Sequence, residues 1–414
     1  MRAMVNFNCD KNLTMKPLTK EYLKPEYVYI KIDDPNNLLI PLGSYVYKGQ
    51  ILGETNIPYK LPIISTVSGK LVEIVTDLKN NNKYVKIEND YLEKYAKRKG
   101  YKKRLDSYKK EEFIDLLYQN RVVGQGGGGF PTYLKYSGEI PINLLIVNAV
   151  ECEPHLTADY ETMLMHAENI IDAIDAIINI NGIERAIIAI NSKYTDVIDK
   201  FNACLGSYPE ITLKIMDVRY PLGQSKLLVE AITGELYKNH ANEVGVIVNN
   251  VSTIYNIYRV LKYRRPVTER VITLTGDKMQ KPENVLVKIG MKATELNLKH
   301  DPTAIIVEGG PLIGDRYDDF DFVIGPTTLA IMQLKNDVIK TDICINCGKC
   351  YTQCPMQIPV VTVKSALAAG DIESLKKLRV ETCIKCGLCS YVCPANIMLK
   401  EAVTKALEVI KSEK

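Results

Sequence analysis

Near the C-terminus, eight cysteines stand at a spacing that folds short loops around iron–sulfur cubes. Cys344, Cys347, Cys350 and Cys354 precede Pro355, and Cys383, Cys386, Cys389 and Cys393 precede Pro394. Each run reads C-x2-C-x2-C-x3-C-P, in which three thiolates hold one [4Fe–4S] cluster and the fourth ligates the cluster of the other run. Structural zinc also takes thiolates, but in paired C-x2-C units, and two identical runs of four closed by Cys-Pro do not match it. A disulfide framework fits no better, because these eight of 11 cysteines crowd into one segment of a 414-residue chain that opens with no secretory signal. Two clusters mean electron transfer. With cross-ligation, one takes Cys344, Cys347, Cys350 and Cys393, and the other takes Cys383, Cys386, Cys389 and Cys354.

Cross-ligation needs the second run folded back against the first. The 28 residues between Cys354 and Cys383 are long enough for two short helices, expected over 360–369 and 372–378 and separated by Gly370 with Asp371 as the second N-cap. A further chemical signal lies far upstream, where residues 124–132 read Gly-Gln-Gly-Gly-Gly-Gly-Phe-Pro-Thr. Consecutive glycines let backbone amides approach a phosphate and form an anion-binding concavity. No Gly-Lys-Ser/Thr follows, so this is not a P-loop, and no strand clearly precedes it, so it is not the usual G-x-G-x-x-G. On its own such a run is more often a hinge. Beside two clusters, a flavin or dinucleotide phosphate is the sharper reading.

Composition is that of a globular protein, 46% hydrophobic and 25% charged, and 414 residues exceed one core, so three or four domains are expected. A net charge of +4 is too small to argue for nucleic acid. No apolar run reaches the ~18 residues of a membrane span, which points to a cytoplasmic protein that meets a membrane only peripherally. Residues 94–110 carry nine Lys or Arg, either a solvated linker or a docking face for an anionic surface or acidic carrier.

Along the chain, residues 38–90 alternate short apolar runs (38–41, 44–47, 50–54, 63–67, 70–75 and 84–87) with glycine-marked turns, the texture of a small β barrel or sandwich. That texture resembles biotinyl/lipoyl-type domains, yet Lys70 sits in no attachment motif, and no lipoylation is expected. From about 111, strands at 143–149, 185–191, 211–217 and 244–250 alternate with helical periods at 159–180, 194–205, 224–233 and 253–261, which predicts a doubly wound parallel α/β layer. After Pro266, strands at 271–275 and 304–307 and a helix near 293–298 suggest a small α+β module.

Three segments carry a family resemblance: residues 124–132, Asn148-Ala149-Val150-Glu151-Cys152-Glu153-Pro154, and Glu308-Gly309-Gly310-Pro311. With the paired cysteine runs, they make the chain resemble, over nearly its whole length, the C subunit of the Rnf electron-transport complex. That subunit is related to the flavoprotein (51-kDa) subunit of respiratory complex I. The resemblance implies a multidomain α/β protein: a barrel-sandwich-like β domain (1–92), a basic linker (93–110), a complex I 51-kDa-type FMN/NAD domain (111–264), a β-grasp-like ligand-binding module (265–334) and an α-helical dicluster ferredoxin domain (335–414). It implies FMN, NADH as donor, a ferredoxin-type carrier, and other subunits of an ion-translocating membrane complex on whose cytoplasmic side the chain sits. By position, Gly124, Gly126, Gly127, Gly129 and Phe130 match the FMN-cradling motif, with Gly128 in place of its usual alanine. Lys135 matches a lysine near flavin and nicotinamide, Asn148 an FMN contact and Glu153 an acidic contact for the nicotinamide, with Glu151 also among the cofactor contacts.

Two stretches depart from the family. Its Tyr-Pro-x-Gly-Gly-Glu-Lys pattern becomes Tyr220-Pro221-Leu222-Gly223-Gln224-Ser225-Lys226, so Ser225 stands where a glutamate faces the dinucleotide. Its Gly-Gly-x-His-Pro and Ser-Gln-His-x-Gly stretches are missing, which leaves residues 1–23 and 32–40 without an assigned role. Of the remaining cysteines, Cys204 reads as a small buried hydrophobe and Cys152 as an unactivated thiol, while His155 reads as structural. No protease-type triad or hydrolytic zinc constellation is present. Two other functions stay open: a soluble flavin and iron–sulfur reductase serving a cytosolic enzyme (cobalamin-reductase-like or associated with amino-acid reductases), and a cluster-only wiring protein without flavin.

Overall fold

The computed structural model describes every residue except 1–3, 8, 19, 57, 78, 80, 98–102, 338–339 and 414. Seven strands come first: β1 (Lys20–Tyr22), β2 (Tyr27–Ile32), β3 (Tyr45–Val46), β4 (Ile51–Thr55), β5 (Leu61–Ile64), β6 (Gly69–Thr76) and β7 (Lys83–Asn89). Strands β2-β7-β6-β3 form an antiparallel sheet and β4–β5 a hairpin, and they share a core that includes Val28, Leu52, Ile63, Leu71 and Val85. The 38–41 run makes no strand; Leu38 contributes only an isolated bridge to Gly53. β2 lies outside the runs expected to be strands. Within residues 1–92, β1 lies outside this sheet and pairs in parallel with Glu283–Lys288 far along the chain. Its apolar partner strand is there, not next to it in sequence.

The middle of the chain builds the α/β layer. Helix α1 (Lys110–Gln119) leads into the glycine loop, followed by α2 (Thr132–Tyr136). Then come β8 (Leu144–Ala149), α3 (Ala158–Asn181), β9 (Arg185–Asn191), α4 (Thr195–Leu205), β10 (Ile211–Met216), α5 (Ser225–Thr233), β11 (Val246–Asn250) and α6 (Val251–Tyr263). All four strands run parallel in the order β10-β9-β8-β11. Alternation along β8 explains the two-sided cover: Leu145, Val147 and Ala149 enter the core under α1, α3, α4 and α6, while Leu144 and Ile146 enter the one under α5. Strand order reverses between β8 and β11, and in open parallel sheets that reversal opens a crevice at the carboxyl ends of the two strands.

Five strands follow: β12 (Glu269–Thr275), β13 (Glu283–Lys288), β14 (Ala304–Glu308), β15 (Asp315–Tyr317) and β16 (Ala330–Lys335). They join β1 in a mixed sheet ordered β1-β13-β12-β16-β14-β15, larger than the two strands expected. The C-terminal part is helical: α7 (Lys349–Thr352), α8 (Val360–Ala368), α9 (Ile372–Lys377), α10 (Leu388–Tyr391) and α11 (Leu399–Ser412). The α8–α9 break falls where expected, at Gly370, with the Asp371 carboxylate accepting from the Ser374 amide at 3.0 Å. Helix α11 buries Leu399, Val403, Ala406, Leu407 and Ile410 against Val360, Val363 and Leu375.

A buried ion network ties three of these parts together. Lys288, fully buried at the end of β13, lies 3.2 Å from Glu93 and 4.0 Å from Glu269, and Glu93 also pairs with Lys48 from the first β sheet region. Glu269 meets Arg259 of α6 at 2.5 Å. Burial raises the Glu269 pKa, but Arg259, Lys288 and Lys48 outweigh it and hold the carboxyl below its ordinary 4.5. Its contribution to stability is therefore present above pH 4.5 and is lost as pH falls through its lowered value. Glu269→Gln takes the carboxylate from Arg259 and leaves Lys288 with Glu93 alone, at an expected cost of roughly 2–4 kcal/mol in denaturant unfolding at pH 7, with a smaller deficit in acid.

Candidate electron-transfer site

The eight cysteines segregate as cross-ligation requires. Cys344, Cys347, Cys350 and Cys393 line one small cavity, and Cys354, Cys383, Cys386 and Cys389 line another. Gly348 and Gly387, at φ of 72° and 76°, turn the two loops into α7 and α10 so that the third cysteine of each run rides a helical turn. Burial, together with the neighbouring sulfurs, pushes Cys386 and Cys389 up to about 12. Four thiols in apolar walls ionise together only around a strongly positive centre, and an iron cluster provides one. The donor set therefore fits two [4Fe–4S] clusters.

The glycine loop sits at the switch point. The Gln125 amide donates to Thr253 Oγ1 at 2.9 Å, and a Cβ added to Gly126 would come within 3.2 Å of Asn250. A Cβ on Gly129, at φ 61°, would meet Thr327 at 2.9 Å, so only glycine lets the loop pass between α6 and the mixed sheet. Asn250 caps α6 by accepting from the Ser252 and Thr253 amides, and it stands directly opposite Asn148 in the β8–β11 register. An exposed loop tip of small residues, two asparagines at adjacent strand ends and the start of a 13-residue helix form a cradle suited to a phosphate-bearing flavin.

The other predicted residues divide. Lys135 Nζ donates to the Val248 carbonyl at 2.6 Å and Asn249 Oδ1 at 3.0 Å, both in the edge strand β11, and burial lowers its pKa to about 8. Asn148 donates to the Gly223 carbonyl at 2.8 Å, which latches the Tyr220–Gly223 turn to the end of β8. Gly124 closes the loop through paired bonds with Phe130 and Gly129, while Gly127 faces Leu329. The Phe130 ring stands between Tyr59 and His240, at 5.1 and 6.0 Å. Ser225 starts α5, and its neighbour Lys226 donates to the Lys238 carbonyl.

Glu151, expected among the cofactor contacts, caps a helix. Its carboxylate accepts from the Asp159 and Tyr160 amides at the start of α3 and from the Tyr194 hydroxyl at 2.5 Å. Those first-turn amides have no partner within their own helix, so a buried carboxylate is drawn to them. Glu153 turns the other way, accepting from the Leu312 amide at 3.2 Å against Gly310, where a Cβ would lie 2.0 Å from the glutamate. The residues missed in the sequence are Asn249, Asn250 and Thr253, whose signal was an Asn-Asn pair closing a strand two residues before Ser/Thr, and Lys11. Lys11 Nζ reaches the Glu151 and Leu156 carbonyls at 2.5 and 2.7 Å.

The second cysteine run abuts this site. Cys386 and Leu388 share one apolar cluster with Tyr220, joined by Cys152 and Leu312, and Lys400 donates to the Leu312 carbonyl at 3.2 Å. Burial holds the Cys152 thiol near 12, so it is not an activated nucleophile, and Cys204 packs at the edge of the α/β core. The first run faces outward: Cys347 is exposed, and Ile343 and Ile345 are 82% and 69% exposed.

Comparisons with known proteins match this layout. The Nuo51 FMN-binding domain matches residues 117–259 and the 4Fe-4S dicluster domain residues 343–398. The chain is 31% identical to the C subunit of the ion-translocating oxidoreductase complex of Buchnera aphidicola, over 80% of this chain and 73% of that one. It is 27% identical to the C subunit of the proton-translocating ferredoxin:NAD(+) oxidoreductase complex of Clostridium ljungdahlii, over 85% of this chain and 79% of that one. It spans about half the length of several other curated relatives. A chain of an NAD+-reducing [NiFe]-hydrogenase shares the fold at TM-score 0.50 and 14% identity, over 86% of this chain and 77% of that one.

Two tests follow from the geometry. Cys393→Ala should abolish the cluster held with Cys344, Cys347 and Cys350 and spare the other, taking iron from about eight to about four per chain. Cys354→Ala should do the reverse, and a common loss of the same electron paramagnetic resonance (EPR) signal in both would refute the cross-over. The second test concerns Glu153. Burial, opposed by the Leu312 and Ile313 amides and by Lys11 and Lys400, raises its carboxyl to about 7. Between pH 4.5 and 7 the folded chain keeps a proton that the unfolded chain has released, so this residue's contribution to stability falls as pH rises. Glu153→Gln should remove that slope, on the order of 2–3 kcal/mol across the window, in anaerobic denaturant unfolding.

Proposed function

The chain belongs to the family of C subunits of ion-translocating oxidoreductase complexes, and from that premise we propose that it is the electron-input subunit of such a complex, passing electrons between NADH and ferredoxin-type carriers. The observation that carries this reading is the contact of the second cysteine run with the loops at the carboxyl ends of the parallel sheet, because it joins a flavin cradle to a pair of clusters. FMN, when bound, takes electrons in pairs from a hydride donor and releases them singly. The residues of the chain do the rest. The glycine loop and the N-terminus of α6 bind the phosphate, Asn148 and Lys135 hold the walls of the crevice, and the Leu312 segment with Tyr220 keeps water from the junction. Cys354, Cys383, Cys386 and Cys389 would hold the cluster nearer the crevice and Cys344, Cys347, Cys350 and Cys393 the one beside the exposed Ile343–Ile345 surface, and the pair would supply one-electron transfer between the two.

Phe130, with Tyr59 beside it, is the platform we assign to the nucleotide of the donor, and Ser225, at the start of α5, replaces the glutamate of the family pattern. In this reading 1–92 is a barrel-sandwich-like domain apart from β1, 93–110 a basic linker, 111–264 the flavin and dinucleotide domain, 265–334 a β-grasp-like module and 335–414 the dicluster domain. No helix among the described residues is long and apolar enough to cross a membrane. The protein accordingly meets the cytoplasmic side of the membrane through partner subunits.

Purified anaerobically, the chain should carry about eight irons and one FMN. NADH added in a stopped-flow instrument should bleach the flavin absorbance. Bleaching by neither NADH nor NADPH rules out pyridine nucleotide as the direct donor, and iron without flavin leaves only a wiring role.

A further inference from the structure

Tyr220 lies where the flavin-side loops meet the cluster domain, and it is held through both side chain and backbone. Its hydroxyl, 3% exposed with its residue, donates to the Cys386 carbonyl at 2.6 Å. Its backbone is held by the N-terminal segment, which had no assigned role: the Val5 amide donates to the Tyr220 carbonyl at 2.9 Å, and the Tyr220 amide to the Val5 carbonyl at 2.8 Å. The Phe7 ring sits edge-on between Tyr220 at 5.9 Å and Tyr391 of α10 at 5.0 Å. Three residues beyond Tyr220, the Gly223 carbonyl accepts from Asn148 and its amide donates to Cys152 Sγ at 3.2 Å. From the end of β8 to a cysteine of the second run there is thus an unbroken path of one hydrogen bond, a short length of backbone, the Tyr220 side chain and one more hydrogen bond.

We propose that Tyr220 is the positioning residue of the electron-transfer junction, with the N-terminal segment as the strap that holds it against Cys386. The inference rests on the functional reading above and names the residue through which the two halves of the site are coupled. One electron crosses at a time, from the flavin site to the second-run cluster, and no bond is made or broken, so Tyr220 keeps its proton. Two effects follow from the geometry. The hydroxyl dipole presents its positive end to the Cys386 loop, which favours the more negative, reduced form of that cluster; hydrogen bonds and local charge are among the terms that set cluster potentials. The same bond fixes the distance between the Cys386 loop and the Asn148–Gly223 latch, and a loosened junction slows a reaction that depends on positioning. A tyrosine that only satisfied its hydroxyl in the core would do neither.

The test is Tyr220→Phe in the full chain, with Phe7→Leu as the second variant. Redox titration followed by EPR should show one of the two cluster signals shifted to lower potential in Tyr220→Phe and the other unmoved, with iron and flavin retained. Rapid-freeze samples should show reduced flavin persisting longer than in the wild type. Phe7→Leu keeps the hydroxyl but loosens the strap, and should move the same signal in the same direction by less. Unchanged potentials in Tyr220→Phe overturn the proposal, as does an equal shift of both signals. If Tyr220→Phe fails to retain iron, the decision rests on Phe7→Leu, where an unmoved signal overturns the proposal. A wild-type chain that holds both clusters but no flavin defeats the functional reading, while the potential shift remains measurable on its own.

Discussion

Each of the two cysteine cavities takes three cysteines from one run and one from the other, and this constraint organises the C-terminal part of the molecule. Cys354 and Cys393 reach across only if α8 and α9 fold the second run back on the first, and the core of Val360, Val363, Leu375 and Val403 holds that hairpin of helices in place. The two clusters are then neighbours by construction, because they share loops. Their order follows from what lies outside: one run packs against Tyr220 and Leu312, and the other opens to solvent at Ile343 and Ile345. A conductor with an inner and an outer end results from a covalent pattern and one interface.

At the other end, the crevice between β8 and β11 exists because strand order reverses there, and the chain fills it with the smallest available backbone. The glycine loop passes between Asn250 on one side and Thr327 and Leu329 on the other, at separations that a side chain would violate at Gly129 and crowd at Gly126. Around this crevice, buried carboxylates serve the structure. Glu151 caps α3, and Glu153 holds the Leu312 amide. Both are pushed to about 7 by burial, a penalty offset because each satisfies amides that water cannot reach.

The N-terminal residues, which follow no family pattern, work as connectors. Val5 and Phe7 engage Tyr220, Lys11 pins the Glu151 loop, and Lys20–Tyr22 completes the mixed sheet. With the Lys288 network, they join parts of the chain hundreds of residues apart. Such contacts keep distances fixed in a protein whose cofactors work across gaps.

Local chemistry made much of this legible in advance. Cysteine spacing announced two clusters and their cross-over, since ligand geometry acts within a few residues, and apolar alternation announced the parallel layer, with Arg185–Asn191 falling on the strand expected. Glycine at 370 and aspartate at 371 marked a helix break because capping is local. Pairing across long separations carried no comparable signal. The three residues of β1 are too short to declare a partner, β16 waits for β12 and β14 to bury it, and the turn of Glu151 toward α3 depends on where that helix begins. Which cluster faces the flavin crevice was likewise beyond reach, because the two runs are chemically alike and only packing against Tyr220 tells them apart. Spacing along the chain decides which atoms can bind a cluster; only the folded core decides what that cluster stands next to.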